Sequence, residues 1–91
     1  KGVYAVKCKL NNEQLNGIAN MGTRPTVGGN KPVLEVHLFN FNKNIYSQRL
    51  QVRFIKKIRD EKKFDNLDML KLQIQEDISL AKNILNTPND N

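Results

Sequence analysis

Ninety-one residues with 15 Lys and Arg against 9 Asp and Glu give a formal charge of +6 and room for one small core, because two domains of half this length would each be marginal. No apolar run approaches the roughly 18 residues needed to span a bilayer, and no charged-then-apolar leader is visible, so a helical membrane protein is excluded and a cytoplasmic one expected. One cysteine allows no internal disulfide, while the positive charge admits nucleic acid, anionic lipid or a phosphorylated small molecule as partner.

The opening at Lys1, with strand-like sequence from Val3 onward, reads as part of a longer chain. Residues 3–10 alternate as a strand, with Tyr4, Val6, Cys8 and Leu10 on one side and Lys7 and Lys9 on a wet side. Cys8 is therefore expected to be a small buried hydrophobe and not a reactive thiol. Asn11-Asn12-Glu13 supplies a turn, and residues 14–21 return as a second strand weakened by Gly17. From Gly22 to Pro32 the composition shifts to Gly, Thr, Pro and Asn, which predicts the longest loop and a natural place to meet ligands.

Residues 33–41 form the clearest strand: Leu34, Val36 and Leu38 face one way, and Glu35 and His37 share the other. Asn42-Lys43-Asn44 predicts a second hairpin, completed by a strand over 45–58 in which Leu50, Val52 and Phe54 alternate. The basic residues from Arg49 to Lys63 make a charged connection, of the kind that most often forms a solvated face. The period then changes. Leu67, Leu70, Ile74, Ile78, Ala81 and Leu85 recur every three or four residues, predicting a helix over 66–86 with Asp65 as N-cap and Thr87-Pro88 at its end. Four strands do not easily close a barrel, so further strands at the N-terminus are expected.

Four stretches carry a more specific signal: Gly2-Val3-Tyr4-Ala5-Val6, Gly17-Ile18-Ala19-Asn20-Met21-Gly22-Thr23-Arg24-Pro25-Thr26, Leu34-Glu35-Val36-His37-Leu38 and Arg59-Asp60-Glu61-Lys62-Lys63-Phe64-Asp65. In order and spacing they resemble the riboflavin kinase family, from Gly2 to about Lys82. The resemblance implies a mainly β fold: a small antiparallel Greek-key barrel, here short of its N-terminal strands, with one C-terminal helix, over residues 1–91. In bacteria such a kinase is usually the C-terminal half of a bifunctional FAD synthetase, so the resemblance implies an N-terminal FMN adenylyltransferase domain as partner in the same polypeptide. The implied reaction moves the γ-phosphoryl group of ATP, with Mg²⁺, to the 5′-hydroxyl of riboflavin, giving FMN and ADP.

Glu35 matches the family's catalytic glutamate, and the chemistry asks for such a group, because an alcohol attacks phosphorus well only when a carboxylate takes its proton. Arg59 and Phe64 match flavin-contacting positions; a guanidinium can engage polar edges or phosphate and an aromatic ring can stack on the isoalloxazine. Asn40 and Tyr46 fall near positions on the nucleotide side, and Gly22, Thr23, Arg24, Pro25 and Thr26 resemble a flap whose Arg24 meets phosphate. His37, without a second histidine in the chain, is read as a packing or hydrogen-bonding residue and not a metal ligand.

The sequence departs from the family in one respect. The Gly-x-Pro-Thr-Ala-Asn motif, whose threonine and asparagine help bind magnesium and phosphates, is absent, and Pro25-Thr26-Val27-Gly28 does not replace it. No metal ligand is therefore assigned in this chain, and weak activity is expected of these residues alone. Two other classes are consistent with the strand-rich, basic composition: a small β-barrel binding single-stranded nucleic acid, or a structural unit docking on a partner domain. Nucleic acid is the less expected partner, because Phe39, Phe41 and Phe54 are placed as well for a core as for base stacking.

Overall fold

The structure, a computed structural model, describes residues 1–41 and 49–86. It contains β1 (Gly2–Leu10), β2 (Glu13–Thr26), β3 (Gly29–Leu38), β4 (Leu50–Arg59) and α1 (Leu67–Ile84). The four strands form one antiparallel sheet in the order β3-β2-β1-β4. Three hairpin-connected strands followed by a fourth that returns beside the first make a Greek key.

That order corrects the expectation of a second hairpin: β4 pairs with β1, not with β3. The chain leaves the sheet after Leu38, where Phe39 turns under the helix at 4% exposure and its amide donates to the Asn16 carbonyl. Asn40 follows at a φ of 55°, a left-handed conformation that asparagine tolerates. β4 then lays Leu50, Val52 and Phe54 opposite Leu10, Cys8 and Val6, matching apolar to apolar on one face. Two bulges interrupt this register near Ile55 and Ile58. They bring Lys57 opposite Tyr4, with its ammonium 5.9 Å from the ring centroid, and allow Ile58 to join the core under the helix.

Each face of the sheet carries a buried cluster. Val6, Cys8, Ala19 and Leu38 pack on one side with Leu15, Val36, Leu50 and Val52, while Ala5, Phe39, Ala81 and Leu85 pack on the other beneath α1. The wet face expected of β1 is thus confined to Lys7 and Lys9, since Val3 and Ala5 lie covered on that same side. Val6 is wholly buried, which for a side chain of its size contributes about 1.5–3 kcal/mol. Burial also raises the Cys8 thiol above its ordinary range, by desolvation of the thiolate. Because the thiolate is the reactive form, Cys8 should be alkylated by iodoacetamide near pH 8 at least about tenfold more slowly in the native chain than in urea. Equal rates would place the thiol at the surface.

Gly17, expected to weaken β2, answers a steric need. A Cβ there would sit 2.5 Å from the His37 carbonyl oxygen on β3, a contact with backbone that cannot move aside. Gly17→Ala should therefore cost about 1–3 kcal/mol in a urea titration, the usual range for overpacking. A loss below about 0.5 kcal/mol would mean that the two strands can separate without penalty.

The predicted loop over 22–32 is instead a continuation of the β2–β3 hairpin. β1 ends its pairing with β2 at Met21, and beyond that point β2 and β3 run on as a two-stranded arm to a tight turn at Val27-Gly28. With one neighbour gone, Pro25 and Pro32 are tolerated, as they are on edge strands. Gly28 supplies a φ of 91° and the Thr26 hydroxyl donates to the Gly29 carbonyl at 3.2 Å, closing the tip.

α1 starts one residue later than expected. The cap is Asn66, not Asp65: its side-chain oxygen accepts from the Met69 amide at 2.9 Å. The helix ends at Ile84 with Leu85 as its C-cap, and Asn86 follows at a φ of 54°. Thr87-Pro88, expected to end it, lie outside the described residues. Its apolar stripe is buried unevenly. Ala81 and Leu85 are at most 5% exposed, Ile74 is 41% exposed and Leu67, expected on the buried side, is 70% exposed. The C-terminal half of α1 seals the sheet, and a cleft runs under its N-terminal half.

Candidate active site

The cleft has a volume of about 310 Å³. Its sheet wall is built from Val3, Ile18, Asn20, Glu35 and His37, its helix wall from Leu70, Ile74 and Asp77, and its rim from Arg59, Glu61, Lys62 and Phe64. Period-two alternation explains the sheet wall: Glu35 lies opposite Asn20 and His37 opposite Ile18, so these side chains project on the helix side, while Val36 packs into the other core. Segment 60–66 carries no regular structure and swings the rim residues across the open end.

One buried ion pair anchors that rim. Asp77 is 2% exposed, the one buried charged residue among those described. Its Oδ1 accepts from Arg59 Nε at 3.0 Å and from Gln73 Nε2 at 3.0 Å, and its Oδ2 accepts from Arg59 Nε at 2.9 Å and Nη2 at 2.8 Å. Arg59 also donates from Nη1 to the Asp60 carbonyl at 3.1 Å. The Arg59 guanidinium carbon and the Lys62 ammonium lie 5.7 Å and 5.6 Å from the Phe64 ring centroid, so the ring meets two cations. On the outer side, Lys57 pairs with Asp60 at 2.5 Å. Lys57 holds the Asp60 carboxyl below its ordinary range and is itself raised by that hydrogen bond.

A second, polar hollow of about 250 Å³ adjoins the first and shares Asn20, Glu35 and Glu61 with it. Gly22, Thr23 and Arg24 at the root of the arm complete its wall. Glu61 reaches over Gly22, where an added Cβ would meet its Oε2 at 2.6 Å. Glu35 therefore stands on the boundary between an apolar cleft and a polar one that holds an arginine.

Of the residues singled out in the sequence, Glu35, Arg59 and Phe64 meet at the cleft, and Gly22, Thr23 and Arg24 at its polar extension. Pro25 and Thr26 are further out on the exposed arm. Asn40 is not brought to the cleft; it lines a separate hollow with Lys7, Gln14, Asn16 and Asn86 that shares no residue with it. Tyr46 lies outside the described residues. Asn20, Glu61, Lys62 and Asp77 were not assigned roles from sequence, although Asp77 leaves a trace there as a carboxylate at the 70-74-77-81 spacing of an apolar helix stripe. His37 faces Phe39, with ring centroids 5.9 Å apart.

A family model for flavokinase, described as riboflavin kinase, matches residues 1–85. The chain belongs to the riboflavin kinase family. It is 52% identical over 88 residues to a bifunctional riboflavin kinase/FMN adenylyltransferase of Haemophilus influenzae, a match covering 96% of this chain and 29% of that protein. A protein of the same description from Escherichia coli K12 is 50% identical over 83 residues, covering 90% of this chain and 26% of the relative. An RNA-binding riboflavin kinase of Bacillus subtilis is 42% identical over 79 residues, 86% of this chain and 34% of the relative. Among solved structures, one described as a macrolide-efflux protein from Streptococcus pneumoniae superposes at a TM-score of 0.84 with 33% identity, over 90% of this chain and 27% of that one. The chain thus spans under a third of the first two relatives. Antiparallel strands with one C-terminal helix are the fold expected of a riboflavin kinase domain, and among the described residues no helix is long and apolar enough to cross a membrane.

Proposed function

We propose that this member of the riboflavin kinase family takes part in ATP-dependent phosphorylation of riboflavin to FMN, in the cytoplasm, within a bifunctional FAD synthetase. The observation that supports it is the position of Glu35 between an apolar cleft and a polar, arginine-bearing one. A flat tricyclic ring suits the space between Ile18, Leu70, Ile74 and Phe64, and the ribityl chain then runs toward Glu35. The Glu35 carboxylate accepts the proton of the terminal hydroxyl as its oxygen bonds to the γ-phosphorus, and the bond to the bridging oxygen of ADP breaks. Arg24 in the polar hollow offers positive charge to the phosphate being transferred.

Magnesium, when bound with ATP, supplies charge neutralisation between the β- and γ-phosphates. The cleft residues do not form a site for it. Of the carboxylates there, Asp77 has both oxygens engaged by Arg59 and Gln73, and no group of three His, Cys, Asp or Glu capable of holding a metal occurs among the described residues. We assign magnesium to the threonine–asparagine motif that the family resemblance implies and this sequence does not contain.

The test is to replace the matching stretch of the Escherichia coli relative by these residues and follow FMN by chromatography with riboflavin, ATP and magnesium. FMN formation by the hybrid, with little or none from the 91-residue chain alone, is expected. A folded hybrid that makes no FMN overturns the proposal.

A further inference from the structure

The buried carboxylate of Asp77 lies on the helix, contacts the rim through one residue, and is not needed by the reaction chemistry above. A buried ion pair is seldom the most stable filling for such a place, because desolvating both charges offsets most of their attraction and apolar side chains of like volume often do better. What the pair does supply is geometry. Arg59 is the last residue of β4, and segment 60–66 follows it directly. Both Asp77 oxygens hold the Arg59 fork, Gln73 one turn earlier holds Asp77, and Arg59 in turn binds the Asp60 carbonyl at the start of that segment. The fork also sets the guanidinium against the Phe64 ring. Among the described residues the other side-chain bonds of the segment are the Asn66 cap on the Met69 amide at its far end and the exposed pair of Lys57 with Asp60, and neither holds its middle against the helix.

We infer that Asp77 is a positioning residue: acting through Arg59, it fixes segment 60–66 so that Glu61, Lys62 and Phe64 stand at the rim of the cleft in the geometry that accepts the flavin. This rests on the riboflavin reading of the cleft, but its structural half does not. The test uses Asp77→Asn, which keeps shape and removes the charge, together with Arg59→Lys and the double variant. In the 91-residue chain without ligand, tryptic cleavage after Lys62 and Lys63 should accelerate at least about tenfold in Asp77→Asn, while the amides of β1 and β2 exchange hydrogen as before. Riboflavin affinity, read by quenching of flavin fluorescence well below the melting temperature, should fall about tenfold. In the Arg59→Lys background the same substitution should change affinity less than about twofold, because the fork it would release is already lost.

A uniform rise in exchange over the whole sheet, with riboflavin affinity unchanged below melting, would reduce Asp77 to a structural role and overturn the inference. An undiminished effect of Asp77→Asn in the Arg59→Lys background would equally sink it, since the action would not pass through Arg59. Localised cleavage in a chain that binds no riboflavin even as wild type would contradict the flavin reading while leaving the anchoring of the segment in place.

Discussion

Glu35→Gln, introduced into the hybrid enzyme, is expected to lower kcat for FMN formation by about 10²- to 10⁴-fold, the range that general-base catalysis contributes, and to leave the KM for riboflavin within about threefold. Glutamine keeps the size and can still accept a hydrogen bond, but it cannot take a proton at neutral pH. The loss should fall on the transition state, where the hydroxyl proton is in motion, and not on the bound ground state. The register makes this substitution a clean one: Glu35 lies opposite Asn20, is exposed toward the two hollows and makes no ion pair among the described residues. Stability should therefore change by less than about 0.5 kcal/mol. Loss of affinity in proportion to turnover would show that Glu35 binds substrate instead of moving a proton.

The second large effect concerns Arg59. Arg59→Ala strands the Asp77 carboxylate, 2% exposed, without its two-pronged partner, and removing one member of a buried pair costs about 3–5 kcal/mol. Gln73 remains as a single neutral donor and cannot replace a charge. The double variant Arg59→Met with Asp77→Leu removes both charges, fills the space with apolar atoms and should recover most of that loss in urea titrations. Riboflavin binding should stay weak in both variants, because the rim is no longer held, and flavin should be affected more than ATP. A single variant that loses under about 1 kcal/mol would mean that water reaches Asp77 and the pair is not buried in solution.

Much of this arrangement was legible in the sequence, and the reasons for the exceptions are physical. Strand alternation placed Glu35 and His37 on one side and Leu34, Val36 and Leu38 on the other, since a pleated strand admits no other geometry; the three-and-four spacing of Ile74, Ile78, Ala81 and Leu85 gave α1 in the same way. Partner choice is a different matter. Adjacent strands usually pair, so β4 was expected beside β3, but nothing local in residues 50–59 records that β1 offers a better apolar match. The bulges near Ile55 and Ile58 are equally invisible, as each costs one residue of register that only the neighbouring strand reveals. Residues 22–32 read as a loop because Gly, Pro and Asn are turn formers, and they became a ribbon because two strands past the end of β1 need satisfy only each other.

The site divides along the same line. Glu35, Arg59 and Phe64 were singled out through the family resemblance and line one cleft, whereas Glu61 over Gly22 and Asp77 beneath Arg59 are tertiary contacts, set by where the helix crosses the sheet. Of the aromatic residues that kept a nucleic-acid reading open, Phe39 is 4% exposed under Lys82, whereas Phe54 is 41% exposed and meets Tyr4 edge to face at 5.1 Å.

A crystal structure of the chain with riboflavin would put the whole account at risk in one experiment. The tricyclic ring should lie beneath the first turns of α1 against Phe64, with the ribityl 5′-oxygen about 2.6–3.2 Å from a Glu35 oxygen. A flavin bound anywhere else, or one lying in the cleft with its terminal alcohol directed away from Glu35, would contradict it.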